Sequence, residues 1–181
     1  MKMKSLQILI FLSPILLFSQ IHFDNYVECV YNKESVEPLI IYESRNGNEI
    51  LRLKKGEENC YYKLVIKKTK KGWAKIYKLM GIPSCSEDTK IRENNDYKNF
   101  WVKLDNFEMY SFFAPRGKTY ISFLEKPDFN SRKIITIDKY TKYQLVETKG
   151  LWARVKFEFK GQNYIRWIHK KDQCSSLWIA C

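Results

Sequence analysis

The 181-residue chain is short of glycine (7) and proline (5), and it has only two histidines, His22 and His169. The low glycine and proline content excludes a collagenous or linker-like chain. With two histidines and no Cys-x-x-Cys pair, the ligand spacing of a zinc site is missing, so no metal and no other cofactor is expected. Beyond residue 20 no stretch is apolar enough to cross a bilayer, and the mature chain is expected to carry no transmembrane anchor. Acidic residues are also few: 20 Asp plus Glu stand against 32 Lys plus Arg, a net charge of +12. What is abundant is apolar and aromatic. Hydrophobic residues make up 45% of the chain, with 12 Tyr, 11 Phe and 5 Trp. That share opposes wholesale disorder despite the charge, and the rings favour strands over helices. The length allows one medium domain or two small ones.

Residues 1–20, MKMKSLQILIFLSPILLFSQ, read as a secretory signal peptide. Lys2 and Lys4 form the positive start, Leu6 to Phe18 the short apolar run, and Ser19 a small residue at the cleavage site. The run is well below the roughly 20 residues a bilayer needs. Cleavage after Gln20 removes two lysines and no acid, leaving 161 residues and a net charge of +10. The expected location is therefore exported: periplasm, cell surface or extracellular. All five cysteines fall in the mature part, where disulfides are permitted. A Cys174–Cys181 bridge would pin a terminus that otherwise frays. Of the other three, one pair at most closes internally; Cys60–Cys85 is preferred, with Cys29 left over.

The mature chain reads as all-β, with apolar alternation in short runs bounded by Gly, Asn, Lys and Pro. In Trp152–Phe159, Ala153, Val155, Phe157 and Phe159 point one way, and Trp152, Arg154, Lys156 and Glu158 the other. Lys160-Gly161 then suits a tight hairpin. The second half resembles the first. Leu39–Ser44 aligns with Tyr120–Pro127, which places Tyr42 against Phe123, and Glu49–Leu53 aligns with Lys133–Ile137. Trp73 matches Trp152, and Trp101 matches Trp167. The expected organisation is a lead-in at 21–35, a first unit at 36–106 with a loop insertion about 80–97, a linker at 107–117 and a second unit at 118–181.

Each unit has five short strands, a Trp opening a middle strand and a second Trp on the last. Leu124–Ile134, Gly150–Val155 and Arg166–Ile168 carry the motifs most fully. In these features the chain resembles the bacterial Src-homology-3-like (SH3b) family, in tandem. It departs from that pattern at Phe100-Trp101 and Arg166-Trp167, where Gly-Trp is usual, and in lacking a first-unit counterpart of Pro127. The resemblance implies two small SH3-like β-barrels and a non-catalytic binding module directed at cell-wall peptides or glycans.

Trp73 and Trp152 fall on the polar faces of their strands. An exposed indole costs roughly 1.5–3 kcal/mol relative to burial. A ligand groove is one reason for that cost; capping the open end of a thin barrel is the other. The groove candidates are Trp152, Tyr120, Phe123 and Tyr164 with Arg154 and Lys156 in the second unit, and Trp73, Tyr42 and Tyr77 with Lys75 in the first. Trp101 and Trp167 are expected in the core. The cluster Lys67–Lys71 reads as a hairpin tip, either merely solvated or a contact for an anionic polymer. The partner expected is a cell-wall peptide or glycan; the alternative is an envelope protein docking on the basic surface. No nucleic acid is expected outside the cytoplasm. No enzyme is expected either: the repeats consume the chain, and the acidic pairs Glu57-Glu58 and Glu87-Asp88 lie in loops.

Overall fold

Alternating and doubly apolar runs become strands. The computed structural model describes residues 25–31, 37–53, 62–81, 97–111, 120–138 and 141–174. Among them are thirteen strands and no α-helix. They are β1 (Val27–Tyr31), β2 (Leu39–Tyr42), β3 (Glu49–Leu53), β4 (Tyr62–Lys70), β5 (Trp73–Gly81), β6 (Trp101–Lys103), β7 (Phe107–Ser111), β8 (Ile121–Leu124), β9 (Lys133–Ile137), β10 (Lys142–Lys149), β11 (Trp152–Phe159), β12 (Gln162–His169) and β13 (Gln173–Cys174). The signal-peptide residues 1–20 lie outside the described residues. So do Cys60, Cys85, Cys181 and the side chain of Cys174. No helix among the described residues is long and apolar enough to cross a membrane.

All pairings are antiparallel. One sheet runs β3-β2-β6-β5-β4-β1-β7-β10-β11-β12-β8-β9, with β13 added to β7. The path is open at β3 and β9, so it does not form two closed barrels. Its two halves mirror each other in order: β3-β2-β6-β5-β4-β1 and β9-β8-β12-β11-β10-β7. The registers repeat as well. Lys70 faces Trp73 and Trp73 faces Lys103, as Lys149 faces Trp152 and Trp152 faces His169. Both β4 and β10 carry a bulge at the same place, between Ile66 and Lys68 and between Leu145 and Glu147. The two copies touch at equivalent threonines: Thr148 N donates to Thr69 Oγ1 at 2.8 Å, across a sequence separation of 79.

The repeat is longer than the sequence suggests. Segments that read as a lead-in and a linker supply β1 and β7, the two strands that join the halves. Val30 faces Lys63 and Tyr110 faces Lys142, so β1 and β7 are equivalent and Glu28 corresponds to Glu108. Val27–Tyr31 is buried at every position and Phe107–Tyr110 likewise. A strand buried on both faces shows no polar alternation, which is why neither segment reads as a strand. The first residues of β7 pair with β1, through Val30–Glu108 and Tyr31–Phe107. In the same manner β13 pairs with the end of β7, through Gln173–Ser111 and Cys174–Tyr110.

The core is lined by Val27, Cys29, Ile41, Leu64 and Ile76 from one half and by Phe107, Met109, Phe123, Tyr143, Val155 and Ile168 from the other. Phe123, Tyr143 and Phe157 form a ring cluster with centroids 4.5–5.3 Å apart. On either side of the seam a buried glutamate is paired with a lysine at an equivalent position; Lys63 is buried with Glu28, whereas Lys142 reaches Glu108 from the surface. Glu28 is paired with Lys63 and also accepts from Lys170 at 3.0 Å; Glu108 accepts from Lys142 at 2.7 Å and from the Tyr110 hydroxyl at 3.0 Å. Lys170 comes from a 3-10 turn, Lys170–Asp172, and also donates to the Tyr26 carbonyl at 2.6 Å. Two hairpin turns, Lys71-Gly72 and Lys160-Gly161, have positive φ at both residues (49° and 74°, 50° and 74°). That is the mirror-image turn whose twist matches the flanking strands.

Removing one partner of a buried ion pair leaves the other charge uncompensated, at a cost of about 3–5 kcal/mol. Glu28→Ala is expected to lower unfolding stability by that order in urea titrations, whereas Glu28→Leu combined with Lys63→Met and Lys170→Met should cost far less. Equal losses in the two variants would contradict a charge-pair origin. Cys29 is free and fully buried. Burial first, and Glu28 second, push its thiol well above its ordinary value, with Lys63 opposing. At pH 8 Cys29 should resist iodoacetamide in the native protein and react in urea, read by peptide mass mapping. The thiol ionises only in the unfolded chain, so stability is lost as pH rises above about 9. Cys29→Ala should flatten that loss; an unchanged pH slope would refute it.

Candidate functional site

Residues directly opposite each other on neighbouring strands share a face. The register of the first half therefore lays out two rows on the face turned away from the core. Lys70, Trp73 and Lys103 form one, across β4, β5 and β6. Lys68, Lys75, Trp101 and Tyr42 form the other, across β4, β5, β6 and β2. The rings meet edge to face, with Tyr42 and Trp73 centroids 5.2 Å apart. Cations flank them: Lys103 Nζ lies 5.8 Å from the Trp73 ring, Lys75 Nζ 5.8 Å from Trp101, and the Arg45 guanidinium of the β2–β3 loop 5.4 Å from Trp101. Such contacts are worth about 0.5–1 kcal/mol each at exposed sites. Trp73 and Trp101 are half-buried, and Lys68, Lys70 and Lys103 are exposed. At the far edge Tyr42 faces Glu49, whose carboxylate accepts from Arg52 at 2.9 Å. That bond holds the Arg52 guanidinium above its ordinary value and fully charged.

The same elements build a different surface in the second half. The equivalent rows are Lys149, Trp152 and His169, and Glu147, Arg154, Trp167 and Leu124. Trp152, His169 and Phe129 form a three-ring cluster with centroids 4.7–4.9 Å apart. Phe129 projects from the β8–β9 loop, is 57% exposed and carries the Lys171 ammonium 4.3 Å above its ring. Arg154 is 3.5 Å from Glu147 and Lys156 is exposed.

The candidate groove residues fall into place unevenly. Tyr42, Trp73 and Lys75 come together as expected. Tyr77 does not join them: a bulge in β5 shifts it, and it stacks on Tyr26 at 4.3 Å with Lys98 5.0 Å above its ring. In the second half the proposed groove is not assembled. Phe123 is fully buried in the core. Tyr164 faces Phe157, stacks on it at 5.6 Å and packs against the core. It therefore lies on the opposite face from Trp152, about 17 Å along the hairpin at 3.3–3.4 Å per residue. Tyr120 is exposed just ahead of β8. The misplacement of Phe123 has one source. By register, the partner of Tyr42 is Leu124, which faces Trp167 as Tyr42 faces Trp101. Aligning Tyr42 with Phe123 is a slip of one residue, and such a slip moves a strand's side chains to the other face.

Trp167 is buried but on the outer row beside Arg154 and Leu124, outside the core cluster, and Trp101 is half-buried on the equivalent row, so neither joins the core as expected. Arg45, Lys103, Phe129, His169 and Lys171 were not among the expected site residues. Lys103 was detectable as the cross-strand neighbour of Trp73; Arg45 and Phe129 sit on loops, for which sequence alternation gives no position. Among the described residues no group of three or more His, Cys, Asp or Glu is placed to hold a metal.

These features define an all-β protein built from a duplicated six-strand unit. No family model matches the chain, and no curated protein matches it. Among solved structures it is similar to NlpC2 from Trichomonas vaginalis, at 12% identity and a TM-score of 0.31, over 86% of this chain and 50% of that one. NlpC1 from the same organism is similar at 12% identity and a TM-score of 0.31, over 88% and 49%. The chain spans about half the length of these proteins.

Burial separates the two equivalent tryptophans energetically. Trp167→Ala should cost about 3–5 kcal/mol, the usual loss for a large buried ring. Trp101→Ala should cost no more than about 2 kcal/mol, since its outer side is already solvated. Urea unfolding of the two variants checks this; similar losses would contradict the placement of Trp101 on the surface.

Proposed function

We propose that the chain is an exported, non-enzymatic binding protein made of two SH3-like units. Its ligand is an extended cell-wall or envelope peptide or glycan held on the outer aromatic faces. The observation that carries this reading is a recurrence. In both units a half-buried Trp at the start of β5 or β11 meets another ring and the residue at the end of β6 or β12: Tyr42 and Lys103 beside Trp73, Phe129 and His169 beside Trp152. Flat, rigid rings offer large contact area at low entropic cost, which suits an extended, weakly structured ligand. Export rests on the leader-like residues 1–20, and it puts the chain where such ligands are found.

A pull-down on purified peptidoglycan tests the proposal. Wild-type protein should be retained, and Trp73→Ala combined with Trp152→Ala should reduce retention at least about tenfold, the loss expected when central aromatic contacts are removed. Unchanged retention of a folded double variant, or no retention of the wild type, would overturn it.

A further inference from the structure

We propose that the outer face of the first unit is specialised for an anionic sugar polymer, and that the equivalent face of the second unit has lost that specificity. The inference rests on the reading of these faces as binding surfaces and adds the chemical class of the ligand. It follows from a position-by-position comparison that the duplication makes possible.

In the first unit the two rows across β4, β5, β6 and β2 contain four lysines, at 68, 70, 75 and 103; the first carboxylate, Glu49, follows Tyr42 on the edge strand β3 and is held by Arg52. Arg45 adds a fifth cation from the adjoining loop. At the positions equivalent to Lys68 and Lys75 the second unit has Glu147 and Arg154, which pair with each other at 3.5 Å. Its counterpart of Lys103 is His169, packed 4.9 Å from Trp152, and its counterpart of Tyr42 is Leu124. One face thus gathers five cations around three rings, whereas the other replaces two of them by the Glu147–Arg154 pair and keeps Lys149 and Lys171.

Lysines two residues apart on a strand, such as Lys68 and Lys70, are about 6.6 Å apart on one face. Trp73 and Trp101 lie between them and the cations of β6 and the loop. A ligand that satisfies this pattern has regularly spaced negative charges and a flat apolar surface alternating with them. An acidic polysaccharide has both: the C–H face of each sugar ring stacks on an indole, and its carboxylate or phosphate meets a lysine. The β4–β5 and β10–β11 tips touch through the inward-facing Thr69 and Thr148, so Lys149 belongs to the outer face of the second unit. Lys67 itself is turned aside, donating to Asn99 at 3.1 Å.

Titration of the full chain with polygalacturonate, with a phosphate-bearing mannan, with neutral dextran and with single-stranded oligo-dT, followed by tryptophan fluorescence, tests the proposal. One of the two acidic sugar polymers should bind at least about tenfold tighter than dextran and than oligo-dT, and its binding should weaken steeply with salt, as expected when several cations meet a polyanion. Which of the two binds tells carboxylate from phosphate. Lys68→Glu with Lys75→Glu should lose at least about tenfold in affinity, whereas Arg154→Glu should change it less than about twofold. Circular dichroism of the variants and the salt dependence of the wild type keep the result independent of misfolding. Equal binding of dextran, tighter binding of oligo-dT, or retained affinity in the folded lysine variant would overturn the proposal. Salt-insensitive retention on peptidoglycan with no preference for acidic polymers would overturn it while leaving the broader reading of the aromatic faces intact.

Discussion

Two glutamates in the middle of the sheet constrain everything around them. Glu28 on β1 and Glu108 on β7 are each buried, and each is matched by a lysine from the next strand, Lys63 on β4 and Lys142 on β10. A buried carboxylate without such a partner is untenable by several kcal/mol. The pairs therefore fix which strand lies beside which, and in what register, on both sides of the seam. Lys170 ties the end of β12 into the same network through Glu28 and the Tyr26 carbonyl. The start of the described chain and its end are thereby held to one point. The result is a single sheet through both halves, in which β1 and β7 are central strands with no exposed edge between the units.

Duplication set on this seam leaves two outer faces free to diverge. The inner positions of the repeats stay apolar, because both contribute to one core. The outer positions answer only to solvent and ligand. There, Lys68, Lys75 and Lys103 stand where the second unit has Glu147, Arg154 and His169. Each replacement is compatible with the same backbone, since cross-strand neighbours on an open face tolerate many pairings. The electrostatic character of the two faces can differ widely while their strand order, bulges and turns remain the same.

Much of this was legible in the amino-acid sequence, for identifiable reasons. The strand class, the β11 alternation and the Lys160-Gly161 hairpin follow from period-two patterning and turn chemistry, and the burial along Trp152–Phe159 alternates accordingly. The Trp73–Trp152 and Trp101–Trp167 equivalences match the register. The central strands were illegible, because Val27–Tyr31 and Phe107–Tyr110 are buried on both faces and show no alternation. The repeat boundary was accordingly set too late in each copy, and the repeated ion pair went unseen. The second-unit groove failed on a one-residue slip between Tyr42 and Phe123, a short strand offering too few positions to fix its own register. The clusters around Trp101 and Trp152 draw on Arg45 and Phe129 from loops, where no periodicity exists to place a side chain.

Hydrogen–deuterium exchange read strand by strand tests the shared seam most directly. If β1 and β7 join the halves, their amides exchange at the slowest rates in the molecule, together with those of β4 and β10, and both units open in one cooperative event as denaturant is added. Early exchange of β1 and β7, followed by separate opening of the two halves, would show instead two independent units on a flexible connection.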